Sequence, residues 1–224
     1  FQNGPVSVAG HLHWDVLRLF EEIQAGLALA ARHASPGEIA SLGVDTWGVD
    51  FGLLDKTGAL IGNPYHYRDR RTDGVMERVF ASVPRDEIYR RTGIQFIQLN
   101  TLYQLAAHVR DGLPREAERL LLIPDLCHHL LCGSQVSERS DASTTQLLSV
   151  QTGDWDEELC SILRIPRAIL PDVYPSAHVF GMAAPEILGA AIPIAGIAGD
   201  QQAALFGQGC HRAGMAKNTY GTGC

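Results

Sequence analysis

The chain has no run of 18 or more apolar residues among its 224, so nothing in it is built to cross a bilayer as a helix. It is also short of basic charge: 18 Lys and Arg stand against 25 Asp and Glu, for a formal net charge of −7. That balance argues against nucleic acid as a partner, because polyanion binders present a basic face. Cysteine is sparse and odd in number, with Cys127, Cys132, Cys160, Cys210 and Cys224 at no paired spacing. This argues against a disulfide framework and fits a reducing cytoplasm. Cys127-His128-His129-Leu130-Leu131-Cys132 lacks a second ligand pair at zinc-finger distance. Its cysteines are therefore expected to pack as small apolar residues, and no metal site is expected. The opening Phe1-Gln2-Asn3-Gly4-Pro5 lacks the basic and apolar regions of a signal peptide. With the abrupt ending at Cys224, it suggests a chain that starts and stops inside a longer one.

What is present is an ordinary globular composition, 46% hydrophobic and 19% charged, long enough to bury a real core. No internal repeat, low-complexity tract or linker divides it, so one domain is the simplest reading. Val16, Phe20, Ile23, Leu27 and Ala31 recur at helical spacing and predict an amphipathic helix over residues 14–33. Strands are expected over 39–44 and 49–54, with a turn at Asp55-Lys56-Thr57-Gly58 leading into Ala59-Leu60-Ile61. Helices are expected over 74–82, 85–91, 100–111 and 115–132, and another beginning at Asp154-Trp155-Asp156-Glu157. Ser140-Asp141-Ala142-Ser143-Thr144-Thr145-Gln146 reads as a loop rich in hydroxyls.

The most informative tract runs over residues 192–206. Residues 192–198 read as a buried strand, and Ala203-Ala204-Leu205-Phe206 as the first turn of a packed helix. Between them Gly199 permits a sharp turn and Asp200 carries a carboxylate. A carboxylate at the carboxyl end of a buried strand sits where open α/β sheets place their ligand crevice. About twenty residues on, Thr219-Tyr220-Gly221-Thr222-Gly223 is a small-residue turn suited to close approach by a phosphate. An acid followed by such a loop suggests phosphoryl transfer to a hydroxyl.

Asp200-Gln201-Gln202 and Gly214-Met215-Ala216-Lys217-Asn218-Thr219-Tyr220-Gly221-Thr222-Gly223 resemble the glycerol-kinase branch of the FGGY carbohydrate kinases. Upstream, Gly43-Val44-Asp45-Thr46-Trp47-Gly48-Val49-Asp50-Phe51, Tyr67-Arg68-Asp69, Asn100-Thr101-Leu102-Tyr103-Gln104-Leu105 and Ala142-Ser143-Thr144-Thr145-Gln146-Leu147 resemble the rhamnulokinase branch. The resemblance covers nearly the whole chain. It implies an α/β fold of the ribonuclease H-like, actin and hexokinase type, a mixed sheet flanked by helices. By the same resemblance, residues 1–224 are the first, sugar-binding domain of a two-domain kinase, without its first strands and without the second, nucleotide domain. Such a piece alone is expected to be inactive.

The resemblance makes Asp200 the general base, although Asp is also a favoured helix N-cap. It puts Gly199 and Gln201 in the sugar pocket, where the rhamnulokinase branch shows His-Asp-Thr and this chain has Gly-Asp-Gln. Gly48 stands where the glycerol-kinase branch carries an Arg that grips the polyol. Trp47 has two readings, a stacking surface for a sugar and a core aromatic. Gly221, Thr222 and Gly223 correspond to a loop that meets the β- and γ-phosphates. The implied reaction uses ATP with Mg²⁺, the metal being reached through water rather than held in a protein cage. The implied acceptor is a primary hydroxyl of a ketose, L-rhamnulose first, with no nucleic-acid or membrane partner and with homo-oligomer formation left open. The rivals are a kinase of glycerol, another polyol or a pentulose, and a non-catalytic sugar-binding or actin-like module.

Overall fold

A computed structural model describes residues 1, 3–35, 37–196 and 199–219. The chain opens with an antiparallel hairpin, β1 (Val6–Val8) and β2 (His11–His13). α1 (Val16–His33) follows, capped by the Asp15 side chain, which accepts from the Arg18 N–H. Next come β3 (Leu42–Val44), β4 (Phe51–Leu54), α2 (Val75–Ser82), α3 (Arg85–Thr92) and α4 (Thr101–Asp111). β5 (Arg119–Leu122) runs directly into α5 (Ile123–Cys132), and β6 (Ser137–Glu138) into the short α6 (Arg139–Ser143). The rest comprises α7 (Glu157–Ile162), β7 (Val173–Tyr174), β8 (Val179–Met182), α8 (Pro185–Leu188), β9 (Pro193–Gly196) and α9 (Asp200–Gly207).

The expected mixed sheet is a three-stranded one in the order β3-β9-β8, with β3 and β9 parallel and β8 antiparallel to β9. Two-stranded pairs accompany it: β4 antiparallel to β5, and β6 parallel to β7. Phe20, Ile23 and Leu27 of α1 close one side of the three-stranded sheet, packing with Leu131, Ala183 and Ile194. The larger core surrounds α4, whose Leu102, Tyr103 and Leu105 are buried with Phe51, Leu120, Leu122, Ile88, Trp155 and Leu159.

The helix expected over 115–132 is in fact a strand followed by a helix. Leu120, Leu121 and Leu122 are all fully buried and pair with β4. A strand covered on both faces has no alternation to distinguish it from a buried helix. The helix begins only at Ile123, with Pro124 in its first turn, where its missing N–H costs nothing. α9 begins at Asp200, so residues 203–206 lie in its second half and not in the expected first turn, and its apolar end is not packed: Phe206 is 80% exposed. Ile197 and Ala198, the end of the expected strand, lie outside the described residues.

Candidate active site

Because β3 and β9 run parallel, with Val44 opposite Gly196, their carboxyl ends open on the same side. The turn after β3 and the turn before α9 therefore abut, and the Asp200 N–H donates to the Thr46 carbonyl at 3.3 Å. Gly199 is the residue that caps α9, and it is buried. Asp200 is the first residue of the helix and is exposed, so the cap position falls one residue before it. No hydrogen bond holds the Asp200 carboxylate among the described residues, which leaves it facing solvent at the mouth of the crevice.

Gly48 sits across this crevice, in a strained turn. Val49 has φ +68°, and the Asp50 N–H closes back on the Gly48 carbonyl at 2.9 Å. A β-branched residue in that region costs about 1–3 kcal/mol and persists only where its surroundings over-determine it. Here α4 does so: Thr101 Oγ1 and Gln104 Nε2 both donate to the Val49 carbonyl, at 2.8 and 3.2 Å. Asp50, fully buried, anchors the other end by accepting from Gln104 Nε2 at 2.8 Å and Trp14 Nε1 at 2.6 Å.

Trp47 is tied into the same knot. Its indole N–H donates to Asp50 Oδ2 at 3.1 Å, and its ring lies 4.4 Å from that of Trp14. Its remaining surface lines an apolar groove of about 340 Å³ with Val44, Phe20, Ile23 and Leu131, which neither Gly48 nor Asp200 lines. Gln201 is exposed, and its side-chain oxygen accepts from Lys217 Nζ at 3.0 Å and Thr219 Oγ1 at 2.9 Å. That contact binds the start of α9 to the segment leading toward Gly221, Thr222 and Gly223, which lie outside the described residues.

The hydroxyl-rich stretch 140–146, given no role from sequence, holds the start of α9 from behind. Ser140 Oγ accepts from the Gly199 N–H at 3.0 Å and donates to Glu138 Oε2 at 2.6 Å. The Ser140 carbonyl accepts from Gln202 Nε2 at 3.2 Å. Glu138, fully buried, also caps α6 through the Asp141 N–H at 2.9 Å and accepts from Ser176. Asp141 is fully buried too, and neither of its carboxyl oxygens has a hydrogen-bond partner among the described residues. Burial, reinforced by the charges of Asp125, Glu138 and Asp200, holds its carboxyl well above the usual carboxylate range. The only sequence signal for this support was the run of hydroxyls; nothing local announced that it would be buried.

Residues 5–207 match the FGGY family of carbohydrate kinases, N-terminal domain. The chain belongs to that family. Among curated FGGY kinases, it is 45% identical over 203 residues to a rhamnulokinase of Pectobacterium atrosepticum, covering 88% of this chain and 40% of that protein. A rhamnulokinase of Pectobacterium carotovorum is 46% identical over 185 residues, covering 81% of this chain and 36% of that protein. The chain thus spans well under half the length of these FGGY relatives. Its fold is that of solved FGGY sugar kinases. The glycerol kinase of Plasmodium falciparum, solved with ADP, superposes with a TM-score of 0.84 at 23% identity, over 99% of this chain and 47% of that one. A xylulose kinase of Lactobacillus acidophilus gives 0.83 at 20% identity, over 92% and 44%.

In this FGGY domain, four cysteines, Cys127, Cys132, Cys160 and Cys210, are free. Burial pushes the Cys127 thiol up to about 12, so it packs as an apolar group. No described helix is long and apolar enough to cross a membrane.

The Asp50 knot gives a pH signature. Burial raises its carboxyl to about 6, against a lowering by the Gln104, Trp14 and Trp47 donors. A folded-state value above the unfolded one means that the native state holds a proton the unfolded chain has already lost. The resulting stability is complete below pH ~4 and is lost as pH rises through about 6. The stability advantage of the wild type over Asp50→Asn, measured by denaturant melts, is expected to shrink by about 2 kcal/mol between pH 4 and pH 7. A constant difference across that range would refute the assignment.

Proposed function

We propose that this FGGY domain is the sugar-binding half of a cytoplasmic kinase that phosphorylates a primary hydroxyl of a ketose, L-rhamnulose first. The observation that carries this reading is the exposed Asp200 at the shared carboxyl ends of β3 and β9, its N–H bonded to the Thr46 carbonyl in the segment that leads to Gly48. Asp200 accepts the proton of the attacking hydroxyl as its oxygen bonds to the γ-phosphorus; the bond to the bridging oxygen breaks, and ADP departs. Gly48, Gly199 and Gln201 line the sugar site with Trp47 at its border, while Gly221, Thr222 and Gly223 take the phosphates through backbone N–H groups. Mg²⁺ enters as part of the ATP substrate; the described residues contain no cluster of three or more His, Cys, Asp or Glu suited to hold it. The nucleotide's remaining contacts fall to a second domain.

Gly199-Asp200-Gln201 favours a polyol kinase as the second reading. Against it, a Cβ at position 48 would lie 2.6 Å from Asp141 Oδ1 and 2.7 Å from Thr144 Oγ1. An Arg there could leave the backbone only if the Asp141 and Thr144 side chains moved aside. The test is ADP formation by the full-length protein with rhamnulose, xylulose and glycerol. Rhamnulose is expected to give the highest kcat/KM. A glycerol preference would replace the ketose reading, and no turnover with any of them would favour a non-catalytic module.

A further inference from the structure

The Asp141 carboxyl is fully buried, and neither of its oxygens has a hydrogen-bond partner among the described residues. Its Oδ1 lies 2.6 Å from where a Cβ on Gly48 would stand and 3.1 Å from where a Cβ on Gly199 would stand. One oxygen is thus wedged between the two turns that frame the crevice, against backbone that carries no side chain on either side. Gln202 Oε1, also buried and without a partner among the described residues, lies 3.0 Å from the same point beside Gly199.

We propose that Asp141 is a positioning residue for the phosphoryl-transfer site, its carboxyl acting as the spacer that sets the gap between the Gly48 turn and the Gly199 turn and so the placement of Asp200. This rests on the reading of Asp200 as the base. An aliphatic side chain could fill the gap, but a carboxyl adds an electrical consequence. The charged groups around it are all acidic: Asp125 on α5, Glu138 before α6 and Asp200 on α9. With no cation among them, burial and these charges favour the protonated, neutral form of the carboxyl. Desolvation and then the Asp200 charge also raise Asp45, at the end of β3, so the acids along this edge sense one another. Loss of the Asp141 proton as pH rises would set a second negative charge behind Asp200, where an anionic phosphoryl donor must approach. The spacer therefore imposes an upper pH limit on the site.

The test uses the full-length protein and two variants. Asp141→Asn keeps the shape and can never ionise. It is expected to hold kcat within about 3-fold of wild type near neutrality and to move the alkaline decline of kcat/KM to higher pH. Asp141→Ala removes the spacer and is expected to lower kcat by ~100-fold, with a smaller effect on sugar KM, because a displacement of about 1 Å is enough for such a loss. Crystal structures of both variants give a readout apart from activity: the Gly48–Gly199 gap stays in Asp141→Asn and closes in Asp141→Ala. An Asn profile that superimposes on the wild type, or an Ala variant with unchanged gap and rate, would overturn the proposal. A wild-type protein inactive on every sugar would instead sink the kinase reading, while the gap measurement still judges the spacer.

Discussion

Asp200→Asn in the full-length protein is expected to lower kcat for sugar phosphorylation by ~10²–10⁴-fold, the range that a positioned general base contributes. The sugar KM should change little, because the amide keeps the size of the carboxylate and one of its oxygens. The fold should tolerate the exchange, since the Asp200 side chain is exposed and no described residue hydrogen-bonds to it. What the fold loses is the favourable placement of a negative charge in the first turn of α9, worth about 0.3–1 kcal/mol at an exposed site. A melting curve nearly superimposable on wild type, beside a collapsed steady-state rate of ADP release, is the expected pair of results. Undiminished turnover would remove Asp200 from the chemistry. A collapsed rate with an equally collapsed melting temperature would make the residue structural.

Parts of this arrangement were legible in the residues and parts were not, for physical reasons. α1 announced itself through Val16, Phe20, Ile23 and Leu27, because a helix lying on a sheet buries one face and the spacing of 3.6 survives in the sequence. The expected ranges 85–91 and 100–111 fall within a residue of the bounds of α3 and α4. β5 was hidden because three fully buried leucines carry no period at all. Asp200 could be singled out by the rule that ligands meet the carboxyl ends of parallel strands. That β9 pairs with β3, some 150 residues earlier, is a tertiary fact that no local pattern encodes. The same holds for Asp141: in sequence it belongs to a run of small polar residues that looks solvated, and its burial follows only from the two glycine turns closing over it. Trp47 was left between a sugar platform and a core aromatic; its indole bond to Asp50 and its contact with Trp14 weigh on the structural side.

Glu138 tests how firmly the crevice is held from behind. Its carboxylate, fully buried, takes the Ser140 hydroxyl, the Asp141 N–H and the Ser176 hydroxyl. Truncation in Glu138→Ala strands these donors where water does not reach and leaves a void in their midst. Each donor left unsatisfied in a buried setting costs about 1–3 kcal/mol. Glu138→Gln keeps one side-chain oxygen to accept but turns the other into a donor facing donors, so a smaller loss of about 1–2 kcal/mol is expected. The two variants should also differ in the site itself. Ser140 Oγ holds the Gly199 N–H only while Glu138 fixes the direction of its own hydroxyl proton, so loss of Glu138 frees the turn that carries Asp200. Denaturant melts should therefore rank wild type above Gln above Ala, and kcat in the full-length protein should follow the same order. Equal stability of Ala and wild type would mean that solvent replaces the carboxylate and that the clamp on Gly199 does not depend on it. A stable Ala variant with lowered kcat would separate the two roles, assigning Glu138 to the site and not to the fold.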